Sequence, residues 1–217
     1  GHYGTGKSRF LEVVGNVCNR AMIASGSISM AAVYRTLDDV KGTLVFDEAD
    51  FKSSDMSDEI IKLLNGGHKK DSPVVRMDVS KTAIKTVTFQ VFGPKILGSR
   101  QNFSDMALES RCITQRLFPM KNVNVPVHLP KSFDDEVEVL RNKLLMFRMK
   151  EYKEIVEDES SLGGLEFPRL KQSALALTSV SSLIGEDVLK PVLGFLADYE
   201  ADLLKSDSTD VLADILL

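Results

Sequence analysis

Gly1-His2-Tyr3-Gly4-Thr5-Gly6-Lys7-Ser8 fits the pattern G-x-x-x-x-G-K-[ST], a phosphate-binding loop. Each residue type there has a chemical reason. Gly1, Gly4 and Gly6 let the backbone approach phosphate oxygens and take positive φ where the turn demands it. The amides of Thr5, Gly6 and Lys7 and the start of the following helix then face an anion. Lys7 supplies a point charge to the β- and γ-phosphates, and the Ser8 hydroxyl is a ligand for Mg²⁺. Downstream, Gly42-Thr43-Leu44-Val45-Phe46-Asp47-Glu48 reads as a buried strand ending in two adjacent carboxylates. Asp47 is placed to hold the same Mg²⁺ in its second shell, and Glu48 to polarise an attacking water. Together the two motifs describe hydrolysis of a nucleoside triphosphate, with ATP and Mg²⁺ as the expected ligands.

Three more positions complete the expected site. Ser99, in Gly98-Ser99-Arg100, stands at the end of a strand that belongs beside the Asp47 strand, where a polar group reaches the γ-phosphate. Arg111 ends Ala107-Leu108-Glu109-Ser110-Arg111, just before a further strand. From a subunit edge it can enter a neighbour's nucleotide site and stabilise charge on the transferring phosphoryl group. Arg169, in Pro168-Arg169-Leu170, opens a helix and is a second candidate nucleotide contact.

Such residues need strands and helices to position them. Lys7 to Asn19 has helical spacing, with Phe10, Val13, Val14 and Val17 on one face. Ala21 to Ala24 and Thr43 to Phe46 read as buried strands, with a helix over Met30 to Val40 between them. Ser57 to Leu64 is a short helix closed by Asn65-Gly66-Gly67. Val74 to Val79 and Lys85 to Phe92 form a hairpin. Pro94 to Ser99 is a strand, Ala107 to Arg111 a helix end, and Ile113 to Phe118 a final strand. Beyond Pro130 the pattern is helical, broken at Ser160-Ser161-Leu162-Gly163-Gly164. The stripe Val137, Leu140, Leu144, Leu145, Phe147 and Met149 is expected to be lid core. Alternating strands and helices predict an α/β fold with a parallel sheet over residues 1–130 and a helical lid over 131–217. A phosphate loop is fed by a buried strand, so the fragment is expected to lack the first strand of that sheet.

Composition excludes little but points the same way. The chain has 217 residues, 43% of them hydrophobic, and a net charge of −4, which argues against a wholly basic nucleic-acid coat. Cys18 and Cys112 lack metal-ligand spacing and read as core thiols, in keeping with a reducing, cytoplasmic setting. No apolar run reaches the ~18 residues of a membrane span. Against the acidic background, Lys69, Lys70, Arg76, Lys81 and Lys85 gather in and around the hairpin, a candidate grip on nucleic-acid phosphates.

The order of these motifs resembles that of the AAA+ superfamily of P-loop ATPases. Asp47-Glu48-Ala49-Asp50 spells the DEAD tetrapeptide, but the flanking loop does not fit DEAD-box helicases. The ALESR stretch is similar to the arginine-finger segment of minichromosome-maintenance helicases. Leu63-Leu64-Asn65-Gly66-Gly67-His68, Val75-Arg76 and Phe92-Gly93-Pro94-Lys95 resemble an ATPase domain of phages, plasmids and other mobile elements, often found beside primase-type domains. The resemblance covers about residues 1–120. It implies assembly into a ring with Arg111 acting in trans, a hairpin directed into a central pore, DNA as partner, and a helicase-like role in replication. The alternative is a regulatory or remodelling ATPase that acts on protein partners.

Overall fold

The computed structural model describes residues 4–25, 28–47, 54–79, 84–119 and 125–215. They fall into two compact units. One comprises Gly1–Glu109 with Thr114–Leu145, the other Ser110–Ile113 with Met146–Leu217.

The first unit is α/β. Its elements are α1 (Lys7–Val17), β1 (Met22–Ala24), α2 (Met30–Val40), β2 (Leu44–Phe46), α3 (Ser54–Gly66), β3 (Val74–Val79), β4 (Ile84–Phe89), β5 (Lys95–Leu97) and α4 (Met106–Glu109). β1, β2 and β5 form a parallel sheet in the order β1-β2-β5. Val45 pairs with Ile23 on one side and Ile96 on the other. A central parallel strand covered on both faces has no polar position, which is why β2 is the uninterrupted Leu44-Val45-Phe46, all buried. Because the strands are parallel, Ala24, Phe46 and Leu97 end on one edge of the sheet. The amide of Asp47 donates to Ala24 O and that of Gly98 to Phe46 O, extending both ladders to that edge.

α2 starts where the Ser29 hydroxyl accepts the Ala32 amide and stops at Lys41, which takes left-handed backbone with φ 50°. Met30, Val33, Tyr34 and Leu37 bury its inner face. α1 packs on the sheet at Gly15, where a Cβ would lie 3.4 Å from both Ile23 and Val45. Its buried residues are Leu11 and Gly15, and Phe10 is exposed, so the inner face is rotated from the one its valines predict. Gly15 sits at the contact itself, where even a methyl group would touch both strands. The β3–β4 hairpin is antiparallel, from Val74 opposite Phe89 to Val79 opposite Ile84.

Residues 113–118, expected as a strand, pair with no described strand. A strand exists through its ladder, and their apolar content alone supplies no partner.

The second unit is helical: a 3₁₀ turn (Glu159–Leu162), α6 (Pro168–Ile184) and α7 (Glu186–Ile215). Leu162, Leu165, Leu170, Ala174 and Leu196 form its core, with Ile113, Phe167, Val192 and Tyr199 against it. Glu200 on α7 accepts the amides of Glu166 (2.9 Å) and Phe167 (2.6 Å), which satisfies donors at the entry to α6. Thr178 is fully buried because its hydroxyl accepts from Ser161 and donates to Ala174 O.

The division between the units falls within α5 (Phe133–Glu151). No residue of α5 is buried, which overturns the expectation that its apolar stripe is lid core. Among the described residues, no helix is long and apolar enough to cross a membrane.

Candidate functional site

The glycines of the loop behave as their types require. Gly4 has φ 74° and Gly6, the residue capping α1, has φ 80° and ψ 10°, both left-handed. A Cβ on either would meet nothing within 4 Å among the described residues, so their left-handed conformation is the reason for glycine there. The first amides of any helix lack an intrahelical acceptor, and those of α1 follow directly on Gly6. The Thr5 hydroxyl is a buried polar atom with no hydrogen-bond partner among the described residues. Gly1 lies outside the described residues, and Ser8 is exposed.

Lys7 Nζ donates to the carbonyl of Ser99 at 3.0 Å, across 92 positions of sequence. Thus the first residue of α1 meets the residue that follows β5. Gly98 shows how closely these parts converge. A Cβ there would come within 2.6 Å of Leu11 Cδ1 on α1 and 3.1 Å of Asp47 Oδ1. The loop lysine, the carboxylate ending β2 and the polar end of β5 therefore share the carboxyl edge of the parallel sheet, the edge where open α/β sheets bind ligands. The Ser99 hydroxyl also meets Gln101, accepting its amide at 3.1 Å. Glu48 lies outside the described residues.

The site fits a triphosphate and its divalent ion by donor chemistry. The loop offers amides and an ammonium to phosphate. Ser8 and Asp47 are the hard oxygen donors that Mg²⁺ prefers. Among the described residues, no cluster of three or more His, Cys, Asp or Glu could hold a metal ion.

Arg111 and Arg169 both belong to the second unit. Arg111 is half-buried, and its carbonyl accepts the Ser173 hydroxyl at 3.2 Å. The neighbouring Cys112 carbonyl accepts Tyr199 OH at 3.3 Å. Arg169 is exposed on the first turn of α6 and donates to Gln172 Oε1 at 3.3 Å. Both cysteines are half-buried, not core. Burial pushes the Cys18 thiol up from its ordinary range, so it is protonated and unreactive at neutral pH.

The basic cluster separates into parts. Lys69 and Lys70 are exposed on the turn after α3, where His68 Nδ1 lies 2.6 Å from Asn65 O as a local capping contact. Lys85 is exposed on β4 opposite Asp78 in the ladder. Lys81 lies outside the described residues. Arg76 is engaged within the unit. Its guanidinium carbon sits 4.9 Å from the centre of the Tyr34 ring, and Nη2 donates to Tyr34 OH at 2.8 Å and reaches Glu59 Oε1 at 3.4 Å. These contacts, with the Tyr34–Phe89 ring pair, fasten the hairpin to α2 and α3.

Two residues carry roles that their sequence context did not single out. Lys95 begins β5 and donates to three carbonyls, Gly67 (3.0 Å), Val91 (2.9 Å) and Gly93 (2.9 Å). Burial lowers its pKa to about 8. The signal was the Gly66-Gly67 pair closing α3: a Cβ on Gly67 would lie 2.5 Å from Lys95 Nζ. Glu109 accepts the Phe103 amide (3.0 Å) and the Thr114 hydroxyl (2.9 Å), tying together both flanks of the segment that carries Arg111. Compared with known proteins, the chain matches no protein-family model and no curated protein.

Proposed function

We propose that this chain is an ATP-binding and ATP-hydrolysing module of the AAA+ type, and that it drives an oligomeric nucleic-acid motor. The observation that carries the nucleotide reading is the meeting of Lys7 with the Ser99 carbonyl, beside Asp47 and Gly98. In this reading the amides at the start of α1 and the Lys7 ammonium bind and orient the β- and γ-phosphates. Ser8 and Asp47 hold Mg²⁺, which when bound neutralises phosphate charge. Glu48, directly after Asp47, takes a proton from the attacking water, and Ser99 orients that water or the γ-phosphate. Arg111 and Arg169 are the candidate phosphate contacts from the helical unit, Arg111 acting on a neighbour's nucleotide within a ring.

The nucleotide test is a pair of substitutions. Lys7→Ala loses ATP binding. Glu48→Gln keeps binding and loses hydrolysis, because the ion site survives while water activation does not. Undiminished phosphate release from Glu48→Gln would remove Glu48 from its role.

The client of the motor divides two readings. Exposed Lys69, Lys70 and Lys85 favour DNA. The exposed apolar side chains of Val75, Met77 and Ile84 on the hairpin favour a protein client instead. ATPase stimulation by single-stranded DNA that is lost on charge reversal of Lys69, Lys70 and Lys85 supports the first. Stimulation that survives the reversal removes those lysines from the DNA contact, and no stimulation at all favours the protein-remodelling alternative.

A further inference from the structure

We propose that α5 pairs antiparallel with α5 of a second copy of this chain, through a seam of Phe133, Val137, Leu140, Leu144 and Phe147. These residues follow one another at steps of four, three, four and three, the repeat that keeps an apolar seam on one side of a helix. None is buried: Leu140 and Leu144 are 44% and 46% exposed, and Phe133, Val137 and Phe147 are half-buried. Every other helix of more than one turn, wherever its side chains are described, buries part of its apolar face within its own unit.

Charge chooses the occupant. The helix is polarised along its length, with Asp134, Asp135, Glu136 and Glu138 toward its start and Arg141, Lys143, Arg148 and Lys150 from its middle onward, before the terminal Glu151. The residues flanking the seam are Asp134, Arg141 and Arg148 on one side and Glu136, Lys143 and Lys150 on the other, all exposed. In an antiparallel pair with Leu140 against the partner's Leu144, Val137 meets the partner's Phe147, and Phe133 lies at the end of the seam, opposite the partner's Glu151. Asp134 then faces the partner's Arg148 and Glu136 faces the partner's Lys150. By two-fold symmetry each attraction occurs twice. Only Arg141 and Lys143, at the centre, face their own kind, and both are long enough to splay apart. A parallel pair sets Glu136 against the partner's Arg141 but Lys143 against the partner's Arg148, so attraction and repulsion cancel. The helix is thus complementary to itself only when reversed.

The pair is small. Nineteen residues span about 28 Å, and such a contact stays below the ~1,200 Å² of a standard stable interface. The expected product is a reversible dimer with Kd on the order of 10–100 µM, formed without nucleotide. That condition keeps it separable from ring assembly through Arg111.

Sedimentation velocity of the whole chain without nucleotide, over about 1–300 µM, tests it. The unmodified chain passes from monomer to dimer. Leu140→Glu with Leu144→Glu stays monomeric with an unchanged circular dichroism spectrum, since both positions are exposed. Arg148→Glu weakens the dimer about tenfold, and adding Asp134→Lys in the same chain restores it to within about threefold. In a background with Cys18 and Cys112 replaced by Ser, Lys143→Cys forms a disulfide dimer on mild oxidation. Glu136→Cys does so only when mixed with Lys150→Cys. A chain that stays monomeric throughout, a dimer that survives the paired glutamates, or a charge swap that restores nothing overturns the proposal.

Discussion

Gly6→Ala separates the loop's contribution to stability from its contribution to phosphate binding. Gly6 sits at φ 80°, ψ 10°, and a Cβ there meets nothing within 4 Å among the described residues. The structural cost is therefore conformational alone, about 1–2 kcal/mol for an L-residue in left-handed backbone. The smaller entropy of the unfolded alanine chain returns about 0.4–1 kcal/mol. The net loss is about 1 kcal/mol, which for a chain of this size lowers Tm by about 2–4 °C. Binding responds differently. The added methyl stands on the loop at the start of α1, where the proposed function puts the phosphates. Affinity for a non-hydrolysable ATP analogue falls at least about tenfold, or about 1.4 kcal/mol. Thermal melting and calorimetric titration of one preparation read both quantities. Affinity within twofold of the parent, with the small Tm loss observed, refutes the phosphate cradle. A Tm loss beyond about 10 °C shows instead that the loop is packed and that the added methyl is not sterically free.

Arg76→Gln removes a cation–π contact and a half-exposed ion pair, and costs about 1–2 kcal/mol by denaturant unfolding while DNA affinity stays within twofold; a loss of DNA binding at unchanged stability reassigns Arg76 to the nucleic-acid surface. Lys95 gives a pH signature. Its folded pKa of about 8 lies below the ordinary 10.5, so between those values the unfolded chain holds more protons and stability rises with pH. Below pH 8 the burial penalty, about 3 kcal/mol at most, is fully present. Lys95→Met abolishes that part of the slope, and identical pH profiles for parent and variant refute the assignment. Glu109→Ala leaves the Phe103 amide and the Thr114 hydroxyl without their acceptor, costs about 1–2 kcal/mol, and accelerates amide exchange across residues 103–114; exchange that speeds up elsewhere and not there contradicts the tie.

What could be read from the residues was what local chemistry decides. α2 spans the predicted Met30–Val40 because a serine cap, an apolar face and a left-handed stop all act within that segment. β2 was legible because a strand covered on both faces must be apolar throughout. The loop's left-handed glycines follow from the motif. What could not be read depends on partners distant in the chain. The inner face of α1 carries Gly15, against Ile23 and Val45. An apolar stripe on α5 says nothing of what covers it, and residues 113–118 look like a strand whether or not a ladder forms. Lys95 and Arg76 looked alike as basic residues near a hairpin. Three carbonyls hold one and an aromatic ring holds the other.

The acceptor of the Lys7 ammonium is a main-chain oxygen, not a side chain. No replacement at position 99 deletes it, so that contact is protected from point mutation in a way the Ser99 hydroxyl is not. Ser99→Ala keeps the acceptor of the lysine and removes only the hydroxyl, with its hold on Gln101. Conversely, anything that shifts the backbone after β5 is felt at the lysine without any change of residue. Insertions or deletions between Leu97 and Gln101 would therefore act as lesions of the phosphate loop, though they lie more than ninety positions away from it.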